Sequence, residues 1–215
     1  MQESEKRILF FEFRFCISFS ISNFVFPISF SYLMKRIDTT IPGVVLVEPT
    51  VRNDERGFFF ESYNQRDFAE LDIAEPFVQD NHSMSVKGTL RGLHYQIQHP
   101  QAKLCRVVEG EVLDVVVDIR RGSPRFGEHT STVLSAENKR QIYIPPGFAH
   151  GFLVLSDRAE FLYKCSDFYY YGDERGVLWN DPELRIEWGI DAPRLSAKDS
   201  RLPRLRDIPP SDLPS

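Results

Sequence analysis

Residues 89–96 read Thr-Leu-Arg-Gly-Leu-His-Tyr-Gln and set an imidazole, His94, three positions after a cation, Arg91. An unperturbed histidine titrates at about 6.5, so His94 is the first candidate for proton transfer at neutral pH. A half-buried histidine with both ring nitrogens satisfied is the plainer alternative. On an extended strand, alternation puts Leu90, Gly92, His94 and Gln96 on one face and Arg91, Leu93 and Tyr95 on the other. A second chemical feature lies in residues 111–120, where Val112, Asp114, Val116 and Asp118 alternate with Leu113, Val115, Val117 and Ile119. Two inward carboxylates would need cationic or hydroxyl partners. The expectation adopted is a strand whose Leu113 face is core and whose Asp114 face is partly wet.

The elements that must position these groups are short. From Met34 onward, apolar runs are punctuated by turn residues at close intervals, the signature of an all-β sandwich or barrel rather than of βαβ units. Candidate strands are 44–48, 57–62, 77–83, 88–96, 103–109, 111–120, 129–134, 140–144, 149–155, 160–167 and 185–188. Turns such as Arg121-Gly-Ser-Pro and Pro145-Pro-Gly separate them. Only 65–71 reads as a helix, with Phe68 and Leu71 three apart, and the Pro-rich tail from Pro203 wraps the surface or frays.

The 215 residues suit one domain, and the net charge of −5 leaves no basic field for nucleic acid. Three cysteines without CxxC spacing argue against both a disulfide framework and a structural zinc site, so a reduced, cytoplasmic protein is expected. Residues 1–33 differ from the rest: they hold eight of the eighteen phenylalanines, and residues 15–33 carry no charge. Five serines and Pro27 interrupt that stretch as a membrane span, and Glu12 and Arg14 break the apolar region of a secretory signal that would begin at Lys6 and Arg7. We place residues 1–33 outside the fold, as a disordered or mis-started extension, with the domain at 34–215; a targeting segment and an extra strand are the alternatives.

Ile144-Pro-Pro-Gly-Phe-Ala-His150-Gly-Phe resembles the second motif of the cupin superfamily, in which a Pro-x-Gly turn precedes a histidine that points into a small double-sheet barrel. Metal-binding cupins carry His-x-His in the first motif. Here the stretch is His94-Tyr95-Gln96, and an amide is a poor metal ligand, so no metal is expected.

The resemblance narrows further across many segments in one order. Asp54-Glu-Arg-Gly-Phe-Phe-Phe-Glu-Ser, Phe77-Val-Gln-Asp-Asn-His-Ser, Leu90-Arg-Gly-Leu-His-Tyr-Gln, Ser123-Pro-Arg-Phe-Gly, Ala159-Glu-Phe-Leu-Tyr-Lys and Trp179-Asn-Asp-Pro are similar to those of the dTDP-4-dehydrorhamnose 3,5-epimerase family. The likeness runs over 34–205. It implies a cupin-like jelly-roll β-barrel with short peripheral helices. It also implies a cofactor-independent, metal-free epimerase that inverts C3 and C5 of dTDP-4-dehydro-6-deoxy-D-glucose, and a homodimer.

The chemistry of that reaction asks for a base on one face of the sugar, an acid on the other and a cation for the enolate oxygen, because the C4 ketone acidifies both carbons. By the same resemblance, His94 matches the base, Asp199 the carboxylate that orients it, Tyr163 the acid and Lys103 the cation near the ketone oxygen. Arg56, Glu61, Gln79, Asn81, Arg91, Glu174 and Lys198 match positions that bind the nucleotide and sugar, and His150 lies near the same pocket. Tyr169 matches an aromatic that stacks on thymine, with a register uncertain by one in Phe168-Tyr-Tyr-Tyr171. Arg56 and Glu61 would serve the neighbouring subunit's pocket. A single-site epimerase, a cupin that only binds a sugar nucleotide, and a metal-dependent cupin oxygenase are the competing readings.

Overall fold

The computed structural model describes residues 34–215; the placement of 1–33 outside the fold concerns residues beyond those described. Among the described residues thirteen short strands alternate with turns, and no described helix is long and apolar enough to cross a membrane. Six strands form one antiparallel sheet in the order β1 (Met34–Asp38), β2 (Val45–Pro49), β10 (Gln141–Ile144), β7 (Lys103–Glu109), β12 (Arg158–Cys165), β5 (Gln79–Val86). Five form the other, in the order β13 (Glu174–Gly176), β6 (Leu90–Gln96), β11 (Phe148–Val154), β8 (Glu111–Asp118), β9 (His129–Ser135). A small hairpin of β3 (Arg52–Asp54) and β4 (Gly57–Phe59) stands apart. The long-range pairing of non-consecutive strands, such as β12 with both β5 and β7, is that of a cupin-like double-sheet barrel.

Period-two alternation builds the interior. Cys105 and Val107 of β7, Ile142 and Ile144 of β10 and Phe161 of β12 meet Val112 and Val116 of β8 and Phe152 of β11 between the sheets. Phe152 and Phe161 stack at 4.2 Å across the gap, and full burial of each phenylalanine contributes about 1.5–3 kcal/mol.

The outer faces are covered as well. On the five-stranded sheet, Val115, Val117, Ala149 and Leu153 pack beneath Val177, Leu184, Trp188, Leu205 and Ile208 of the C-terminal segment. On the six-stranded sheet, Val45, Val47 and Tyr143 pack beneath Phe68 and Ile73. Phe68 is the buried residue of α1 (Gln65–Ala69), the one α-helix among the described residues, whose Asn64 cap accepts from the Arg66 amide.

Five expectations change. Residues 185–188 form no strand: Arg185 has φ 52°, and Ile186 and Trp188 serve instead as a lid on the second core. The strand at 57–62 is confined to 57–59, and the helix at 65–71 ends at Ala69. The Asp114 face of β8 is not wet. Asp114 and Asp118 are both fully buried, the first bonded to His150 and the second to Arg120 and Ser123. Finally, Arg91 and His94 do not point to opposite faces. β11 advances two residues, His150 to Phe152, while β6 advances three, His94 back to Arg91, so β6 carries a bulge that switches the alternation.

Glycine makes the bulge feasible. Gly92 has φ +121°, and a Cβ there would lie 2.4 Å from the Gly151 Cα.

Candidate active site

The bulge brings Arg91, His94 and Gln96 to the inside of the barrel, where they line a cavity of about 1090 Å³ at one end of the gap between the sheets. β12 and β7 contribute Tyr163 and Lys103 from the opposite sheet, β5 contributes Gln79 and Asn81, and the C-terminal segment contributes Lys198 and Asp199. The volume is at the upper end for a small-molecule site and suits a ligand as long as a sugar nucleotide.

His94 Nε2 lies 2.7 Å from Asp199 Oδ1. Burial pushes the Asp199 carboxyl up, but the hydrogen bond and charge of His94, the Ser196 hydroxyl and Lys198 outweigh it and hold the group below its ordinary value. An ionised carboxylate only accepts, so Nε2 carries a hydrogen, and in the neutral ring it is Nδ1 that holds the lone pair. The backbone of the Asp199–Arg201 turn supports this, with the Asp199 amide donating to Ser196 Oγ at 3.0 Å. The same dyad therefore fixes the tautomer and faces the positive charge that forms when Nδ1 takes a proton.

Tyr163 stands on the opposite sheet, paired in register with Cys105 and Asn81. Burial first, then the Cys165, Cys105 and Glu174 groups, push its phenol up to about 12 against the opposing Arg91 charge. It is therefore a protonated donor at neutral pH. Among the described residues, Lys103 and Arg91 have no carboxylate partner; Arg91 Nε donates to Ser85 Oγ at 3.0 Å. Arg194, which the sequence reading missed, lines the same cavity. These unneutralised cations make it a site for an anion.

At the rim, Glu174 accepts from Lys198 Nζ at 2.6 Å and from the Tyr169 hydroxyl at 3.2 Å. Of the tyrosine run, Tyr169 alone lines the cavity; Tyr170 stacks on His99 at 3.6 Å and Tyr171 is exposed. Gln96, which stands where metal cupins have a histidine, spends its amide on the loop. It donates to the His99 and Phe168 carbonyls and accepts from the Tyr170 amide.

His150 also lines the cavity, its Nε2 2.9 Å from Asp114 Oδ2. Asp114 itself is fully buried behind His150 and does not line the cavity, with Val112 and Val116 on the same face of β8. Arg56 and Glu61 do not reach the cavity of their own chain. Arg56 is exposed and paired with Asp54 at 2.5 Å, and one Glu61 oxygen is buried without a partner among the described residues.

The family model described as dTDP-4-dehydrorhamnose 3,5-epimerase matches residues 38–207. The chain belongs to that family. It is 61% identical over 169 residues to the dTDP-4-dehydrorhamnose 3,5-epimerase of Pseudomonas aeruginosa, covering 77% of this chain and 93% of the relative. Among solved structures it resembles the dTDP-6-deoxy-D-glucose-3,5-epimerase RmlC of Legionella pneumophila in complex with dTDP-4-keto-L-rhamnose, with TM-score 0.82 and 50% identity over 84% of this chain and 97% of that one. A 3'-monoepimerase, ChmJ of Streptomyces bikiniensis in complex with dTDP-quinovose, is also similar, at TM-score 0.74 and 36% identity over 78% of this chain and 86% of that one. The chain is thus an enzyme of the epimerase class on a cupin-like barrel, and eleven of the thirteen site residues expected from its sequence line one cavity.

Proposed function

We propose that the protein inverts C3 and C5 of dTDP-4-dehydro-6-deoxy-D-glucose to give dTDP-4-dehydro-L-rhamnose, using no metal or cofactor. The observation that carries this reading is that His94, bonded to Asp199 of the C-terminal segment, and Tyr163 line one cavity from opposite sheets. His94 Nδ1 removes the proton that the C4 ketone acidifies, and the electron pair moves onto the ketone oxygen. Lys103 stabilises that enolate oxygen, and Tyr163 returns a proton to the carbon from the opposite face. Arg91 binds the diphosphate, Gln79, Asn81 and Lys198 hold the nucleotide and sugar, and Tyr169 stacks on the thymine. His150 borders the sugar.

The working form is a homodimer in which Arg56 and Glu61 of the β3–β4 region reach the neighbouring subunit's cavity. That arrangement is supported by their absence from the lining of their own cavity and by the exposure of Phe58 and Phe59 on the adjacent hairpin.

Similarity to a 3'-monoepimerase favours one second reading, inversion at a single carbon. Incubating the enzyme with dTDP-4-dehydro-6-deoxy-D-glucose in D₂O and following the sugar by NMR separates the two. Deuterium at both C3 and C5 with an L-rhamno product is the expected outcome. Deuterium at one carbon establishes the single-site epimerase, and none at either overturns both. In the same assay, Tyr163→Phe slows net inversion more than exchange of hydrogen at carbon; equal losses would remove Tyr163 from the acid role.

A further inference from the structure

Double inversion with one base and one acid poses a problem that a single inversion does not. After the first carbon is inverted, His94 Nδ1 holds the proton taken from it and Tyr163 is a phenolate. Neither group can act on the second carbon until both are reset.

Asp199 is badly placed to reset the base. It holds Nε2 rather than Nδ1, its side chain is only 5% exposed, and its near neighbours are Ser196 and the turn backbone. Glu174 is better placed. It lies on β13, which pairs with β6 so that Glu174 is opposite Gln96 and Gly176 opposite His94. Its Oε1 is 3.6 Å from His94 Nδ1. That separation is too long for a hydrogen bond and fits a carboxylate facing a nitrogen lone pair. Once Nδ1 gains a hydrogen it becomes a donor, and closing the gap takes less than about 1 Å.

The other oxygen, Oε2, points the other way. It is bound by Lys198 Nζ and the Tyr169 hydroxyl, and the Lys198 side chain is 53% exposed. Glu174 therefore spans the distance from base to solvent with one oxygen at each end. Burial raises its carboxyl, while the Lys198 bond, the His94 charge and Tyr169 together leave it below its ordinary value, so it rests ionised and able to accept.

Resting on the epimerase reading above, we propose that Glu174 is the proton outlet that resets His94 between the two inversions. The Nδ1–H bond breaks with its electron pair left on nitrogen, and a bond forms from that hydrogen to Oε1. Rotation of the Glu174 carboxyl carries that hydrogen from the His94 side to the rim, where its bond to Oε1 breaks and water takes the proton; the Tyr163 phenolate recovers one from water, so protons and charge balance over the cycle. Glu174 acts through His94 and is a relay residue.

The test is a rapid-quench time course with dTDP-4-dehydro-6-deoxy-D-glucose, resolving singly and doubly inverted sugar by NMR, for the full chain and for Glu174→Gln and Glu174→Ala. The quantity read is the ratio of the second inversion rate to the first. Glu174→Gln keeps the shape and an acceptor for Tyr169 but carries no proton, and it lowers the ratio by about tenfold or more, with singly inverted sugar accumulating. In Glu174→Ala, added formate raises the ratio again in proportion to its concentration, which a purely structural or binding role would not produce. An unchanged ratio in both variants, or two rates that fall together without response to formate, overturns the outlet. Absence of any exchange at carbon in the unsubstituted enzyme would instead overturn the epimerase reading.

Discussion

His94 and His150 are register partners on adjacent strands, and each has a carboxylate on Nε2 at nearly the same distance, 2.7 and 2.9 Å. Their surroundings differ. Asp114 comes from β8, the strand beside His150, and the pair is sealed: 0% and 7% of the two side chains is exposed, with Phe161 stacked near the imidazole. Asp199 comes from a turn far along the chain, and 21% of the His94 side chain faces the cavity. A dyad assembled inside one sheet is a structural and electrostatic fixture. One whose carboxylate arrives from a separate segment leaves a ring nitrogen free on the open side, and that is where proton transfer is possible. The bulge at Gly92 aligns the two, because without the extra residue His94 would turn toward the outer core.

The largest expected effect tests that division of labour. His94→Ala removes the proposed base and is expected to lower both carbon exchange and inversion by about 10²–10⁴-fold, measured by deuterium incorporation in D₂O. Loss below tenfold would mean that His150 shares the role. Next comes the alignment itself. Gly92→Ala forces a side chain into φ +121° and against the Gly151 backbone, so urea denaturation should show a loss of about 3 kcal/mol or more, or the protein should fail to accumulate. A third substitution separates sealed from open. Asp114→Ala leaves a buried His150 N–H without its acceptor and costs about 1–3 kcal/mol in urea unfolding. Asp199→Ala costs less, because His94 can turn its freed nitrogen to water in the cavity. Equal losses would erase the distinction.

The same contrast explains what the sequence made legible. Alternation and turn residues identify most of the long strands, since each buries at least one face. They miss β1, β3 and β13, which are three to five residues long and at sheet edges or in the separate hairpin, where partners rather than apolar runs define the strand. Residues 185–188 alternate because Ile186 and Trp188 cover a sheet, which leaves the same pattern as belonging to one. Strand β8 misled in the opposite way: with a C-terminal cover on one side and His150 on the other, both faces are interior. Within the cavity, motif likeness points to His94, Tyr163, Lys103 and Asp199, and the fold brings those four together. Simple alternation misassigned the relative faces of Arg91 and His94, because a bulge leaves no mark beyond a glycine in the strand.

The smallest expected effect concerns pH. Asp199 is held below its ordinary carboxyl value in the folded protein, by the His94 bond and charge, Ser196 and Lys198 acting against the upward push of burial. A depressed folded value means the unfolded chain binds the proton more readily, so stability from this group is fully present above the unfolded value of about 3.9 and is lost as pH falls through the lower folded value. Asp199→Asn binds no proton at that position in either state. Its stability, read as the urea midpoint at steps from pH 5 down to pH 3, therefore declines less steeply than that of the unsubstituted protein. Glu174 and Asp118 are likewise held low, but both remain in the variant and contribute to the two curves alike. The difference between the curves isolates the open dyad. Parallel curves would show that the His94–Asp199 bond gives the folded state no preference for the ionised carboxylate, and the tautomer assigned to the base would lose its physical footing.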